Sequence, residues 1–373
     1  MLNETFDSRD VAFNKALNFI KNCLTSSYFK FQSLYYYKEP KISVVIPLYN
    51  CNKYILRAVK SIQYQNISEI EIILIDDYST DNTISMVEKM KNEDKRINII
   101  KNKKNMGILY SRSIGVMYSK GKFLFTLDND DMFLDEDIFY TTTKISEKGN
   151  FDIVEFKAIS NKFLNDDILN NKIIDSKFSH QKSFILFQPE LGNYPIPIGK
   201  NTGSYGLQDI FLWGKCIKSI IYKKALNKLG SKRFSRFMIR YEDILANYMV
   251  FNMADSFIFI QKYGIYHFVR VGSAVSIGRL KVSRNINILY LLDVVIDFSQ
   301  NNEYNKKLAA YLGIYYFKLK RVHKTLTSNK YNLELFISCL KRILSSKYIS
   351  EIYKNEILII TKNIKYLKPF FFA

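Results

Sequence analysis

The chain has 373 residues, enough for one large domain or two ordinary ones. Apolar residues make up 47%, with only 14 Gly and 6 Pro, which excludes disordered, collagen-like and linker-rich classes. The net charge of +20 favours anionic partners (nucleic acid, acidic membranes or phosphorylated small molecules) without choosing among them.

Residues 1–38 open with helical spacing, where Val11, Leu17, Ile20 and Leu24 share a face, and end aromatic and basic. This segment is expected to be a helix packed on the main domain, with a membrane-surface contact as the alternative. The start MLNETFDSRD has no apolar signal core, and no run approaches the ~20 apolar residues of a membrane span. Cys23, Cys51, Cys216 and Cys339 form no CxxC pair, so a zinc ribbon is excluded and buried, reduced thiols are expected. The sequence thus suggests a cytoplasmic protein, at most peripheral to a membrane.

After Pro40 the pattern becomes regular. Short apolar, β-branched runs at 42–46, 70–75, 97–100 and 122–127 suit buried parallel strands. Helical spacing separates them: Tyr54–Ile62, then 81–90 with Asp81 or Asn82 as cap, then 108–120. Strands alternating with helices predict an α/β, doubly wound, mostly parallel sheet. Ligands bind such sheets beyond the carboxyl ends of the strands. Polar clusters fall at those ends: Tyr49-Asn50, Asp76-Asp77, Asn105-Met106-Gly107, and finally Asp128-Asn129-Asp130-Asp131.

Farther on, 151–158 suits another strand, and the polar stretch 160–205, where prolines gather, suggests long loops. Residues 213–230 and 241–251 read as helices and 257–268 as strand. From about 285 amphipathic helices dominate, and residues 301–373 hold 14 Lys/Arg against 4 Asp/Glu. Half of the net charge therefore sits in the last fifth of the chain. A packing domain with a solvated basic face is the first expectation there, an anionic membrane or partner surface the second, and nucleic acid the least.

Three carboxylates in four residues repel one another. Two unit charges ~5 Å apart at an effective dielectric of ~20 cost about 3 kcal/mol. A divalent cation removes that cost and could bridge a diphosphate. Taken alone the run favours an acidic surface turn; its place after a buried strand, last in a series of polar clusters, favours a site.

ISVVIPLYN, EIILIDDYSTDNT, NKKNMGILYSRSIGV and GKFLFTLDNDD resemble, in order, the motifs of inverting family 2 glycosyltransferases. The resemblance is close over about 41–155 and looser to about 280, where LWGKCIKSIIYKKAL, YEDILANYMVF and YHFVRVGSAVS are similar to acceptor-side segments. It implies a GT-A fold, Rossmann-like, with a mostly parallel sheet flanked by helices and a helical C-terminal extension. The implied division is an N-terminal extension at 1–39, a transferase domain at 40–284 (donor half 40–158, acceptor half 159–284) and a basic helical region at 285–373. Pro47, Tyr49 and Asn50 would line the base and ribose pocket, and Asp77 would hydrogen-bond a uracil. Asn105, Arg112 and Asn129 would steady the nucleotide, with Arg112 a partner for phosphate. Asp128 would face ribose and metal, and Asp130 would ligate Mn²⁺ or Mg²⁺, with His267 as a further metal candidate and Asp131 in support. The family often reads Ala-Arg-Asn-x-Gly where this chain has Ser111-Arg112-Ser113-Ile114-Gly115, so the asparagine contact does not carry over.

Glu242-Asp243 matches the family's catalytic pair, with Asp243 as general base and Glu242 as neighbour. By spacing alone, the same acids would be first-turn residues favoured by the helix dipole. Arg270 is a weaker candidate, and Trp213 and Tyr205 could stack on a sugar, although core packing suits Trp213 better. The implied activity is transfer of a sugar from a nucleotide donor, expected to be UDP-linked, to a carbohydrate, lipid-linked or protein acceptor. The alternatives are a non-catalytic GT-A-like scaffold docked by its basic helices, and a nucleotidyltransferase, whose Gly-rich phosphate loop PLYNCNKY lacks.

Overall fold

The computed structural model describes residues 39–162, 184–187, 212–235, 238 and 241–269, with scattered helical residues between 287 and 295, a helix at 330–345 and single residues between 354 and 362. The N-terminal helix, Cys23, Tyr205, Arg270 and the expected helices between 301 and 329 lie outside the described residues.

The strands are β1 (Ile42–Leu48), β2 (Ile70–Asp76), β3 (Ile97–Lys101), β4 (Phe123–Thr126), β5 (Met132–Phe133), β6 (Ile153–Lys162), β7 (Phe184–Phe187), β8 (Lys215–Lys218) and β9 (Ser256–Val269). The helices are α1 (Ile55–Gln63), α2 (Thr83–Glu93), α3 (Ile108–Tyr118), α4 (Ile138–Gly149), α5 (Ser219–Leu229), α6 (Ser231–Phe234), α7 (Glu242–Phe251) and α8 (Lys330–Ser345). They form one sheet in the order β3-β2-β1-β4-β8-β6-β9-β5, with β7 also on β9. The run β3-β2-β1-β4 is parallel, so four carboxyl ends face the same edge. β8 then runs antiparallel to both β4 and β6, and β9 runs parallel to β6.

Every residue of β1 and β2 is buried, as central strands covered on both faces require. Period-two alternation divides them between two cores. Ile42, Val44, Ile46, Ile70, Ile72 and Leu74 pack with α1, α2 and α4 on one face. Val45, Ile73 and Ile75 pack with α3, α5 and α7 on the other. Each such aliphatic side chain contributes about 1.5–3 kcal/mol on burial. Ile337 and Leu340 of α8 join the second core beside Tyr290, Leu291, Val294 and Val295. These C-terminal residues therefore pack on the domain that holds α5 and α7.

The strands expected at 42–46, 70–75, 97–100 and 122–127 form, as do α1, α2 and α3. At α2 it is Asp81 that caps, its carboxylate accepting from the Thr83 N–H at 3.0 Å, whereas Asn82 makes no side-chain cap bond. Two expectations fail. Residues 213–230 are not helical throughout, because Lys215–Lys218 is a strand. Four residues are too few to display a period, and Cys216 and Ile217 run directly into the apolar spacing of α5. Within the supposed loops of 160–205, Phe184–Phe187 pairs antiparallel with β9.

Two close approaches fix the sheet's neighbours. A Cβ at Gly115 would lie 2.5 Å from Val45 and Ile75 side-chain carbons, so α3 sits directly on β1 and β2. A Cβ at Gly121 would meet the backbone of Ile42 and Ser43 at 2.6 Å. Backbone cannot yield as a side-chain tip can, so Gly121→Ala should destabilise the protein by about 1–3 kcal/mol, measurable as a lowered urea midpoint.

Candidate active site

The parallel register carries Leu48 beside Asp76 at the carboxyl edge. Pro47 is a buried residue of β1 in register with Ile75, and Tyr49 and Asn50 follow the strand's end. Tyr49 is 49% exposed, and Asn50 takes a left-handed turn at φ 48°. The Asn50 side-chain oxygen accepts from the Thr80 N–H at 2.8 Å, and its own N–H donates to Ser79 Oγ at 3.0 Å. The turns after β1 and β2 are thereby knitted into one rim.

Asp77 is buried and committed within the fold. Its carboxylate accepts from the N–H groups of Met106 and Gly107 and from Asn102 Nδ2, each at 2.8 Å. It holds the turn that carries Asn105 to the mouth of α3. Asn105 in turn accepts from the Gly107 N–H at 3.2 Å.

The acidic run after β4 does not act as one patch. Asn129 Nδ2 donates to the Pro47 carbonyl at 2.9 Å, tying the run to β1. Asp130 is half-buried, and its carbonyl accepts from Arg57 Nη2 at 2.7 Å. Arg57 is fixed by stacking 3.5 Å over the Phe268 ring. Asp131 is fully buried. It accepts from the Phe268 N–H at 3.0 Å and faces His267 Nδ1 at 3.0 Å from both oxygens. Trp213, buried as expected of a packing residue, lies against the His267 ring at a centroid distance of 5.3 Å.

Burial works against a charged His267, but the charge and hydrogen bond of Asp131 push the imidazole up to about 9. Burial also raises Asp131, opposed by His267 and the Phe268 N–H. Donors on both carboxylate oxygens favour an ionised Asp131 against a protonated His267.

Asp128 faces the other way. Arg112, on α3, donates from Nη2 to Asp128 Oδ1 and from Nη1 to Asp243 Oδ1, both at 2.9 Å. Glu242 Oε1 stands 3.9 Å from the same Nη1. Glu242 and Asp243 form the first turn of α7, which the chain enters through Tyr241 at φ 63°. The fold therefore brings Asp128, after β4, and the Glu242-Asp243 pair of α7 onto a single guanidinium. Burial pushes Asp128 and Asp243 up to about 7, against the pull of Arg112. Burial opposes the charge on Arg112 too, but Asp243, Asp128 and Glu242 more than offset it, so the guanidinium stays charged.

Among the described residues no group of three His, Cys, Asp or Glu converges to hold a metal. Mg²⁺-type sites commonly use one or two carboxylates completed by substrate phosphates and water. Asp128 and Asp130 fit that incomplete donor set; Asp131, committed to His267 and Phe268, does not. Sequence spacing gave no sign of Arg57 or of the Asp131–His267 and Arg112–Asp243 pairs, since their partners are distant in the chain. Cys51 and Cys216 are free and buried, as expected of reduced thiols.

Residues 43–204 match the family model described as glycosyl transferase family 2. The chain is 27% identical over 300 residues to a Campylobacter jejuni GalNAc(5)-diNAcBac-PP-undecaprenol beta-1,3-glucosyltransferase, covering 77% of this chain and 86% of that one. It is 34% identical over 137 residues to the Escherichia coli UDP-Glc:alpha-D-GlcNAc-diphosphoundecaprenol beta-1,3-glucosyltransferase WfaP, covering 36% of this chain and 51% of that one. Other curated relatives are matched over less than half of their own length. Among solved structures, S. aureus TarS 1-349 in complex with UDP-GlcNAc superposes with a TM-score of 0.59 at 16% identity, covering 88% of each chain, which establishes the shared fold.

Proposed function

We propose that this chain, whose residues 43–204 match the glycosyl transferase family 2 model, transfers a sugar, with inversion, from a UDP-sugar to a polyprenyl-diphosphate-linked saccharide. The observation that carries this reading is Asp128 and Asp243 held on one guanidinium at the carboxyl edge of the sheet. Two relatives named for beta-1,3-glucosyl transfer to undecaprenol-linked glycans support the acceptor class.

In this reading Tyr49 and Asn50, with Pro47 at the end of β1, receive the base and ribose, with Asp77 and Asn105 behind them. Asp128 and Asp130 would hold a divalent cation, which would supply positive charge for the leaving diphosphate. Asp243 accepts the proton of the acceptor hydroxyl as that oxygen bonds to the anomeric carbon and the bond from that carbon to the diphosphate breaks. Attack opposite the leaving group turns an α-linked donor into a β-linked product. Glu242 stands beside Asp243, near the same guanidinium.

Among the described residues no helix is long and apolar enough to cross a membrane. A cytoplasmic, membrane-peripheral location fits a lipid-linked acceptor, and the excess of Lys and Arg in residues 301–373 suits attraction to anionic headgroups.

The test is thermal shift with UDP, UDP-glucose and UDP-GlcNAc, with and without Mn²⁺, followed by slow donor hydrolysis. Stabilisation by about 2–3 kcal/mol is expected at a hundredfold excess over Kd. Chelation with EDTA should abolish hydrolysis. Absence of binding by all three nucleotides with metal present would overturn the proposal.

A further inference from the structure

We propose that Arg112 is a positioning residue that holds the Asp243 carboxylate in its working orientation and ties it to the donor-side turn through Asp128. This rests on the reading of Asp243 as base.

Arg112 is 2% exposed, so it does not offer its fork to a ligand in the cleft. Its two terminal nitrogens are taken up, one by Asp243 and one by Asp128, at equal distances of 2.9 Å. Its Nε is buried without a hydrogen-bond partner, so the guanidinium's side-chain hydrogen bonds to Asp243 and Asp128 fix its orientation. An arginine that binds phosphate instead presents both arms of its fork to the same group.

The mounting is rigid. Gly115, one turn along α3, lies against Val45 and Ile75 too closely for a side chain, so α3 cannot slide on the sheet. On the opposite side, Glu242 and Asp243 are adjacent acids in one helical turn, and their mutual repulsion would splay them. The cation between them removes that repulsion, with Glu242 at 3.9 Å and Asp243 at 2.9 Å from Nη1. A base must lie within hydrogen-bond reach of the acceptor hydroxyl, and misplacement by about 1 Å can cost 10²-fold. Because Asp128 shares the guanidinium, the donor turn and the base are held at a fixed separation.

The test compares wild type with Arg112→Lys, Arg112→Met, Asp243→Asn and the Arg112→Met/Asp243→Asn double variant. kcat and KM are measured for hydrolysis of whichever of UDP-glucose and UDP-GlcNAc the wild type turns over with Mn²⁺, and the Kd of UDP by calorimetry. Lysine keeps the charge but reaches one carboxylate, so kcat should fall about tenfold or more while the Kd of UDP stays within about threefold. Methionine should lower kcat by about 10²-fold, and the double variant should be no slower than Asp243→Asn alone, because both changes remove the same function.

If Arg112→Met does not fold, Arg112→Lys carries the test. Weakened UDP binding at unchanged kcat would make Arg112 a phosphate ligand and overturn the proposal, as would losses that multiply in the double variant. Asp243→Asn at wild-type rate would remove the base itself, and this inference with it. An inactive Asp243→Asn beside an Arg112→Lys of unchanged kcat would leave the base standing and overturn the positioning role alone.

Discussion

Asp243→Asn should lower kcat by about 10²–10⁴-fold, the usual contribution of a positioned general base. The Kd of UDP should stay within about threefold, because Asp243 touches Arg112 rather than the β1–β2 rim. The pH profile carries the second half of this prediction. Burial pushes Asp243 up to about 7, and the neighbouring Glu242 charge adds to the shift while Arg112 opposes it. Only the ionised form accepts a proton. Wild-type kcat/KM should therefore rise with pH, level off above about 7, and be lost as pH falls through that value. The Asn variant should lack this limb. A wild-type profile flat between about pH 5.5 and 8.5 would show that the base is another group.

Asp131→Ala should give the largest loss of stability among substitutions in the acidic run. Asp131 is fully buried and satisfies both His267 Nδ1 and the Phe268 N–H. Removing one member of a buried pair leaves its partners unmatched, at a cost of about 3–5 kcal/mol. A lowered melting temperature, on the order of 10 °C, is the expected readout. Asp131→Asn retains an acceptor for the Phe268 N–H and loses only the charge, so it should cost about half as much. Equal melting temperatures for wild type and both variants would mean that the pair contributes nothing net. The alternative view of the run as a surface turn predicts that outcome.

Asp128, Asp130 and Asp131 carry the same charge and lie within four residues, with Asn129 between the first two, yet each member of the run does something different. Asp128 meets Arg112, Asn129 meets the Pro47 carbonyl, the Asp130 backbone meets Arg57, and Asp131 turns inward to His267. Composition treats them as one acidic patch. The separation comes from the turn after β4, which leaves Asp128 to Asp130 half-buried at the rim and drives Asp131 into the interior.

The parallel half of the fold was legible because its signal is local. Continuous apolar runs at β1 and β2, helical spacing at α1 to α3, and polar residues where each run ends are properties of neighbours in the chain. They determined the sheet type, the edge at which the site lies, and the candidates Asp77, Asp128 and Asp130. The resemblance to family 2 motifs then singled out Asp243. What only the tertiary structure decided is non-local. β8 is a strand because it fills the gap between β4 and β6, not because four residues declare a period. Arg112 faces Asp243, and Asp131 faces His267, because the sheet order returns β8, β6 and β9 to the side of β4. Hydrophobic periodicity records which face of an element is buried. It does not record which distant element covers that face, and the pairing of buried charges in this site depends on that second fact.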